Sequence, residues 1–102
     1  MSYTRINPKT ETDTSVSGVT LTRHGGICTL YLAERTVTRG WVTIGTLPSG
    51  WRPSQAMSYP IIATCGNGLC GILKLDTDGK LEAYNGTDAN RAYAGGFSYR
   101  LA

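Results

Sequence analysis

Short alternating runs, separated by turn signals about every ten residues, constrain the fold of this chain more than any other feature. In VSGVTLTRH, Val19 and Leu21 lie on one side of an extended chain, and Thr20 and Thr22 lie on the other. A two-residue period rich in β-branched and aromatic side chains indicates strands, and no long segment keeps a helical period. Roughly seven such strands predict an all-β protein, as a small antiparallel β-sandwich or a small barrel.

Glycine-containing turns give the expected hairpins. Gly25-Gly26 predicts a turn between the first two strands, and Asn67-Gly68 predicts another within residues 60–75. In the segment DTDG, Asp76 and Asp78 favour a turn and Gly79 is expected to take a positive φ.

Two polar segments are expected to lie between strands. Residues 34–40, ERTVTRG, are interpreted as a short turn or an edge segment. Residues 85–96, NGTDANRAYAGG, are interpreted as a loop that precedes a last strand, FSYRLA. Trp41 lies on the strand GWVTIGTL and is expected to be a core residue.

The length of 102 residues fits one domain. Such a domain buries roughly two-thirds of the surface of its unfolded chain, enough for one core but not for a deep cleft between domains. Charged residues make up 17%, and the 13 glycines favour a turn-rich β protein over a disordered chain. Residues 1–15 are expected to form a lead-in or linker, without regular structure or paired at a sheet edge, and residues 16–102 a β-sandwich domain.

The net charge of +3 comes from basic residues scattered along the chain, so a nucleic-acid-binding patch is not predicted. The first 15 residues lack the apolar segment of a secretory signal, and no apolar run approaches the ~20 residues that span a bilayer. Synthesis in a cytoplasm is therefore expected, which leaves open where the protein acts, since virion proteins are made there too.

Three cysteines exclude a complete set of disulfides. If Asn67-Gly68 forms a two-residue turn, Cys65 and Cys70 face each other across the hairpin. A disulfide in an oxidising medium and two reduced thiols both remain open. Cys28, Cys65, Cys70 and His24 lack the ligand spacing of a zinc site, so no metal is predicted.

The sequence holds few residues that could carry catalysis. His24 is the one histidine and lies beside a predicted turn, where a solvated side chain is the usual role. Asp76 and Asp78 resemble part of a calcium loop, but Thr87 stands where a carboxylate would be needed. We therefore predict no enzyme, no catalytic residue and no cofactor.

Binding is better supported than catalysis. The segment 84–93, YNGTDANRAY, places polar side chains between two tyrosines. Aromatic faces stack on sugars and the polar groups can bind hydroxyls, so the segment suits a shallow saccharide site, although a solvated loop would look the same. The candidate ligand-binding residues are Tyr84, Asn85, Asp88, Asn90, Arg91 and Tyr93.

A stiff, aromatic connection lies near the middle of the chain, in IGTLPSGWRPSQAMSYP. Pro48 and Pro53 fix φ and end strand pairing, while Gly50 allows a turn. Trp51 is then expected to be a hydrophobic anchor that holds this corner against its own domain or a neighbouring subunit.

The strand and corner WVTIGTLPSGWRPSQAMSYPI, the hairpin GILKLDTDGKLEAYNGT and the last strand FSYRLA resemble the C-terminal head domain of tail fibres and receptor-binding proteins of tailed bacteriophages. The resemblance covers roughly residues 16–102, and its most distinctive part is the Leu-Pro-Ser-Gly-Trp-Arg-Pro corner. It implies a jelly-roll-like, homotrimeric head at the distal end of a fibre in the virion, which adsorbs to host glycan. Only about 15 residues precede the head here, where the family has a long shaft, so an excised domain, a separate tip protein and another virion component all stay open.

Elementary physics also favours a trimer, because symmetry mates would cover exposed sheet edges and several weak sugar sites would act together. A receptor-binding head without catalysis is therefore the leading hypothesis. The alternative is a virion or baseplate component that contacts only other phage proteins. An enzyme acting on surface polysaccharide is the third hypothesis.

Overall fold

The protein forms one curled antiparallel sheet of eight strands in a computed structural model that describes residues 10–63, 70–87 and 89–102. The strand order across the sheet is β1-β2-β3-β8-β5-β6-β7-β4, and every neighbouring pair is antiparallel. The all-β prediction is confirmed. The strands are β1 (Glu11–Asp13), β2 (Val19–His24), β3 (Ile27–Val37), β4 (Gly40–Thr46), β5 (Met57–Ala63), β6 (Cys70–Leu75), β7 (Lys80–Asn85) and β8 (Arg91–Arg100).

The sheet consists of two halves of four strands, β1-β2-β3-β8 and β5-β6-β7-β4. Among the described residues, β8 and β5 join the halves by pairing Ile62 with Ala94 and Ala63 with Tyr93. At the outer edges, Gly45 on β4 lies so close to Val16 that an added Cβ would come within 2.7 Å of Val16 Cγ1. The sheet therefore curls until its two edges approach each other. Among the described residues all strands belong to one sheet, so the expected two-sheet sandwich is not confirmed.

One face of the sheet, here called the inner face, carries the core. The strand alternation buries one residue in two, as in β3, where Cys28, Leu30 and Leu32 are buried and their neighbours are exposed. Leu73, Leu75, Leu81 and Ala83 come from the other half, and the two sets belong to one buried cluster. The opposite, solvent-facing side is called the outer face below.

The segment 34–40, expected to be a turn or an edge, mostly continues a strand. Glu34 to Val37 extend β3, and a register irregularity between Leu32 and Arg35 separates this extension from the rest of the pairing with β8. The bulge lets the polar residues pair in the sheet without moving the buried leucines, which composition alone does not reveal.

The expected loop 85–96 is also partly strand, because β8 begins at Arg91. The glycines and alanines of this segment are common in loops, and for that reason a loop was expected. In the structure, close packing against the neighbouring strand requires a small residue. A Cβ at Gly95 would lie 2.8 Å from Ile61 Cγ2 on the neighbouring strand. The loop between β7 and β8 is therefore short, and Arg91 and Tyr93 are strand residues.

Several local predictions are confirmed. The Gly25-Gly26 turn joins β2 to β3, and Asp76 to Gly79 form the turn between β6 and β7, with Gly79 at φ 90°. Residues 11–13 pair at the sheet edge, one of the two states expected for the lead-in. The predicted Asn67-Gly68 turn, Cys65 and the side chain of Cys70 lie outside the described residues.

Candidate functional site

A row of exposed apolar side chains crosses the outer face. The strand register places Trp41, Tyr84, Ile72 and Pro60 side by side on β4, β7, β6 and β5. Trp41 is 51% exposed and Ile72 is 38% exposed, while Tyr84 is half-buried. This outer row is a surface that a flat, partly apolar ligand could cover.

The aromatic end of the outer row is a stacked pair. The rings of Trp41 and Tyr84 lie 4.9 Å apart with an interplanar angle of 27°. Lys74 Nζ lies 6.0 Å from the centre of the Trp41 ring, at the limit of a cation–π contact. The two rings therefore support each other and form a rigid aromatic platform open to solvent.

The prediction that Trp41 is a core residue is wrong. Alternation placed Trp41 with Thr43 on one side of β4 and Val42 with Ile44 on the other. The structure packs Val42 and Ile44 against the core, so Trp41 faces solvent. The signal was present in the sequence, since the side shared with a threonine was the better choice for the outer face.

A groove of about 430 Å³ opens beside the platform, where the start of β4 meets the end of β7. Tyr84 lines the groove and also stacks on Trp41, so the two features are continuous. The guanidinium group of Arg39 contributes a positive charge. The groove is lined by Arg39, Gly40, Tyr84, Asn85, Gly86 and Thr87.

The predicted residue Asn85 is 1% exposed and organises the loop that borders the groove. Its amide nitrogen donates to the carbonyl oxygens of Val37 at 2.8 Å and Ala89 at 2.9 Å. Its Oδ1 accepts from the backbone N–H and the hydroxyl of Thr87, at 2.9 and 2.6 Å. Both hydrogens of the amide nitrogen and the amide oxygen are therefore already hydrogen-bonded within the protein. Asn85 shapes the groove and has no free donor for a sugar.

Tyr93 is fully buried, and its hydroxyl donates to Asn85 Oδ1 at 3.1 Å. The expectation that its ring stacks on a ligand is therefore wrong, because the inward-facing positions of β8 belong to the core. Asn90 is exposed and Arg91 is half-buried at the start of β8. Asp88 lies outside the described residues.

The central corner is structural, as expected. Trp51 is 8% exposed. Its backbone N–H donates to the carbonyl oxygen of Pro48 at 3.1 Å, which closes the turn at Gly50. Pro53 is buried and forms a bridge to Leu101 after β8. The corner is thus attached to its own sheet.

Two polar side chains fix the corner in place. The guanidinium carbon of Arg23 lies 4.1 Å from the centre of the Trp51 ring, and Arg23 Nη1 donates to Gly50 O at 2.6 Å. Arg23 also pairs with Glu11 at 3.1 Å, which links the corner to β1. From the other side, Tyr99 Oη donates to Trp51 O at 2.6 Å.

Burial perturbs two groups beneath the corner. Desolvation raises the pKa of Tyr99 far above its usual value, and the neighbouring Cys28 raises it further. Desolvation also raises the pKa of the Cys28 thiol, against smaller opposing effects from Tyr99 and Arg23. Both groups are neutral at physiological pH, so they stabilise the fold and offer no nucleophile.

Other sequence candidates occupy simple structural positions. His24 ends β2 and its Nδ1 lies 2.9 Å from Thr10 Oγ1. In the DTDG turn, the Lys80 N–H donates to Asp78 Oδ1 at 3.0 Å. Within residues 10–63, 70–87 and 89–102 no three metal-ligating side chains cluster. The same ranges contain no helix with the length and apolarity to cross a bilayer.

A scan against protein-family models and a search of curated proteins found no match to this chain. The resemblance to phage head domains therefore stays a prediction, and the geometry of the site is the structural basis for a proposed function.

Proposed function

We propose that this chain is a receptor-binding head domain of a tailed-phage fibre, which adsorbs to carbohydrate on the host surface without catalysis. The observation that supports this proposal best is the solvent-exposed stack of Trp41 on Tyr84 beside the Arg39 groove. An aromatic platform next to polar and charged groups is the arrangement that binds a sugar ring by stacking and its substituents by hydrogen bonds. The sequence resemblance supplies the phage context and a virion location.

The centre of the proposed sugar site lies on the sheet, not in the loop between β7 and β8 where the sequence had suggested it. Tyr84 remains from the residues predicted by sequence, and Asn90, Arg91 and Asp88 remain candidates by sequence alone. Trp41 and Arg39 join them. Asn85 and Tyr93 act from below, because their hydrogen bond to each other holds the loop at the end of β7.

We also propose that the domain works as a jelly-roll-like sandwich within a homotrimer. The buried cluster shared by the two four-stranded halves supports treating them as two layers around one core. Among the described strands β1 and β4 lie at the sheet edges, which symmetry mates would cover. Light scattering tests the trimer, with an expected mass three times the chain mass of 11.0 kDa. A monomeric mass at working concentration would refute it.

The second candidate is a virion or baseplate component that contacts only other phage proteins. Exposed isoleucines on the outer face favour it, since Ile72 in the outer row and Ile62 on β5 are exposed and a partner protein would bury them.

Adsorption to whole cells separates the two candidates. Labelled purified protein is mixed with a panel of host strains, and bound protein is measured after washing. Trp41→Ala is compared with Tyr31→Ala, which removes a similarly exposed aromatic ring from β3 in the other half of the sheet. We expect wild type and Tyr31→Ala to bind, and Trp41→Ala to bind at least about tenfold more weakly. No adsorption to any strain would reject the receptor role and leave the structural one.

A further inference from the structure

Two cations flank the aromatic platform, one on each side of the ring pair. Arg39 lines the groove that Tyr84 borders, and Lys74 lies over the Trp41 ring. Neither has an ion-pair partner among the residues that the structure describes. Both charges are therefore available to a ligand seated on the rings.

The described acid that lies beside Lys74 in the sheet pairs with a different lysine. Glu82 lies directly across from Lys74 in the register of β6 and β7. Its carboxylate nevertheless pairs with Lys80, its neighbour on the same strand, at 3.8 Å. Among the described residues, the surface around the rings therefore carries more cations than carboxylates.

We propose that the ligand of this site is an acidic saccharide. Its sugar ring stacks on Trp41 and Tyr84, while carboxylate or phosphate groups that it carries bind Arg39 on one side of the rings and Lys74 on the other. This inference rests on the proposed carbohydrate-binding function and specifies its ligand class. A guanidinium group pairs with planar carboxylate or phosphate through two parallel hydrogen bonds, while the ammonium of lysine acts as a point charge.

A single-stranded nucleic acid also combines flat rings with negative charge, but it favours a longer track of cations. Sites of that kind follow several phosphates with a continuous basic groove. Here two cations flank one ring pair, which fits a short acidic saccharide better. An oligonucleotide therefore serves as a comparison ligand.

The test uses matched pairs of bacterial surface polysaccharides. Each acidic polymer is assayed in its native form and after removal of its charge, by carboxyl reduction for uronic acids or by dephosphorylation for phosphate-bearing polymers. Biolayer interferometry of the full chain gives the affinities. We expect native acidic polymers to bind at least about tenfold more tightly than their neutral forms. Loss of binding after carboxyl reduction would identify the acidic group as a carboxylate, and loss after dephosphorylation would identify it as a phosphate.

Variants connect this selectivity to the two cations. Arg39→Gln combined with Lys74→Gln is expected to bring the native-to-neutral affinity ratio close to one. Arg100→Gln, an exposed arginine at the end of β8, removes one charge elsewhere and should leave the ratio unchanged. Binding should also weaken between about 0.1 and 1 M salt, as the screening length falls from roughly 10 to 3 Å.

Three results would overturn the inference. Equal binding of native and neutral polymers would reject the acidic ligand. If Trp41→Ala then abolished the binding of both forms, the carbohydrate-binding function would be retained without the preference for acid. Tighter binding of a dT oligonucleotide than of any polysaccharide would replace the ligand class. Binding to no polysaccharide would reject the inference together with the carbohydrate function.

Discussion

The two tryptophans are expected to differ sharply in what they contribute to stability. Trp51 is 8% exposed and packs against Arg23, whereas Trp41 is 51% exposed. A buried tryptophan removes roughly 150–250 Å² from water, which at about 25 cal/mol/Å² corresponds to roughly 4–6 kcal/mol. Measured truncations to alanine cost about 3–5 kcal/mol. We expect about 4 kcal/mol for Trp51→Ala and about 1–2 kcal/mol for Trp41→Ala.

Urea unfolding followed by far-ultraviolet circular dichroism measures this difference without relying on tryptophan fluorescence. With a slope of about 2 kcal/mol per molar urea, Trp51→Ala should lower the midpoint by about 2 M. A domain of this size has roughly 5–15 kcal/mol of stability, so Trp51→Phe serves as a milder variant if the alanine form does not fold. A cost below about 2 kcal/mol for Trp51→Ala, or equal costs for both tryptophans, would refute the assignment of Trp51 as the anchor.

Three further changes probe the supports of the corner and the groove. Because burial raises the pKa of Tyr99, the folded protein holds that proton where the unfolded chain releases it. The contribution of Tyr99 to stability should therefore be complete below pH of about 10 and fall above it. In urea titrations between about pH 8 and 11, Tyr99→Phe should lose less stability than wild type as the pH rises. An unchanged loss would contradict the buried hydroxyl. Asn85→Asp should cost about 3 kcal/mol, because a carboxylate oxygen would face two backbone carbonyls that now accept the amide, and a cost under about 1 kcal/mol would argue against that network. Gly79→Ala should cost about 2–3 kcal/mol of stability, since the added Cβ would lie 2.6 Å from Leu47 O. Gly25→Ala is the control and should cost about 1 kcal/mol, because Gly25 also has a positive φ but has open space around it. Equal melting temperatures of the two variants would contradict the clash.

The parts of the fold predicted from sequence are those set by local chemistry. Alternation and turn residues located most of the strands, and the corner prolines correctly placed Trp51 against the core. These features depend on steric limits of a few neighbouring residues, which the sequence shows directly.

The parts that sequence missed depend on partners far along the chain. The pairing of β3 with β8 and of β4 with β7 decides which side of β4 is buried, and hence that Trp41 is exposed. Asn85 looked like a surface ligand because its partners, Val37 O and Tyr93 Oη, come from two other strands. Strand register is set by packing of the whole sheet, so the contacts of Asn85 could not be read from local pattern. For Trp41, the threonine on the same side of β4, Thr43, was the one local sign that this side is exposed.

The central claim is that a ligand meets the outer face at Trp41, while Trp51 only supports the fold. The chain has two tryptophans, so a ¹H–¹⁵N spectrum contains two indole signals that the single variants assign. Titration uses oligosaccharides released from the surface polysaccharide of a strain that adsorbs the protein. The account predicts that the Trp41 indole signal shifts or broadens with added oligosaccharide while the Trp51 signal stays in place. Movement of the Trp51 signal alone, or of neither signal while the oligosaccharide binds, would contradict it.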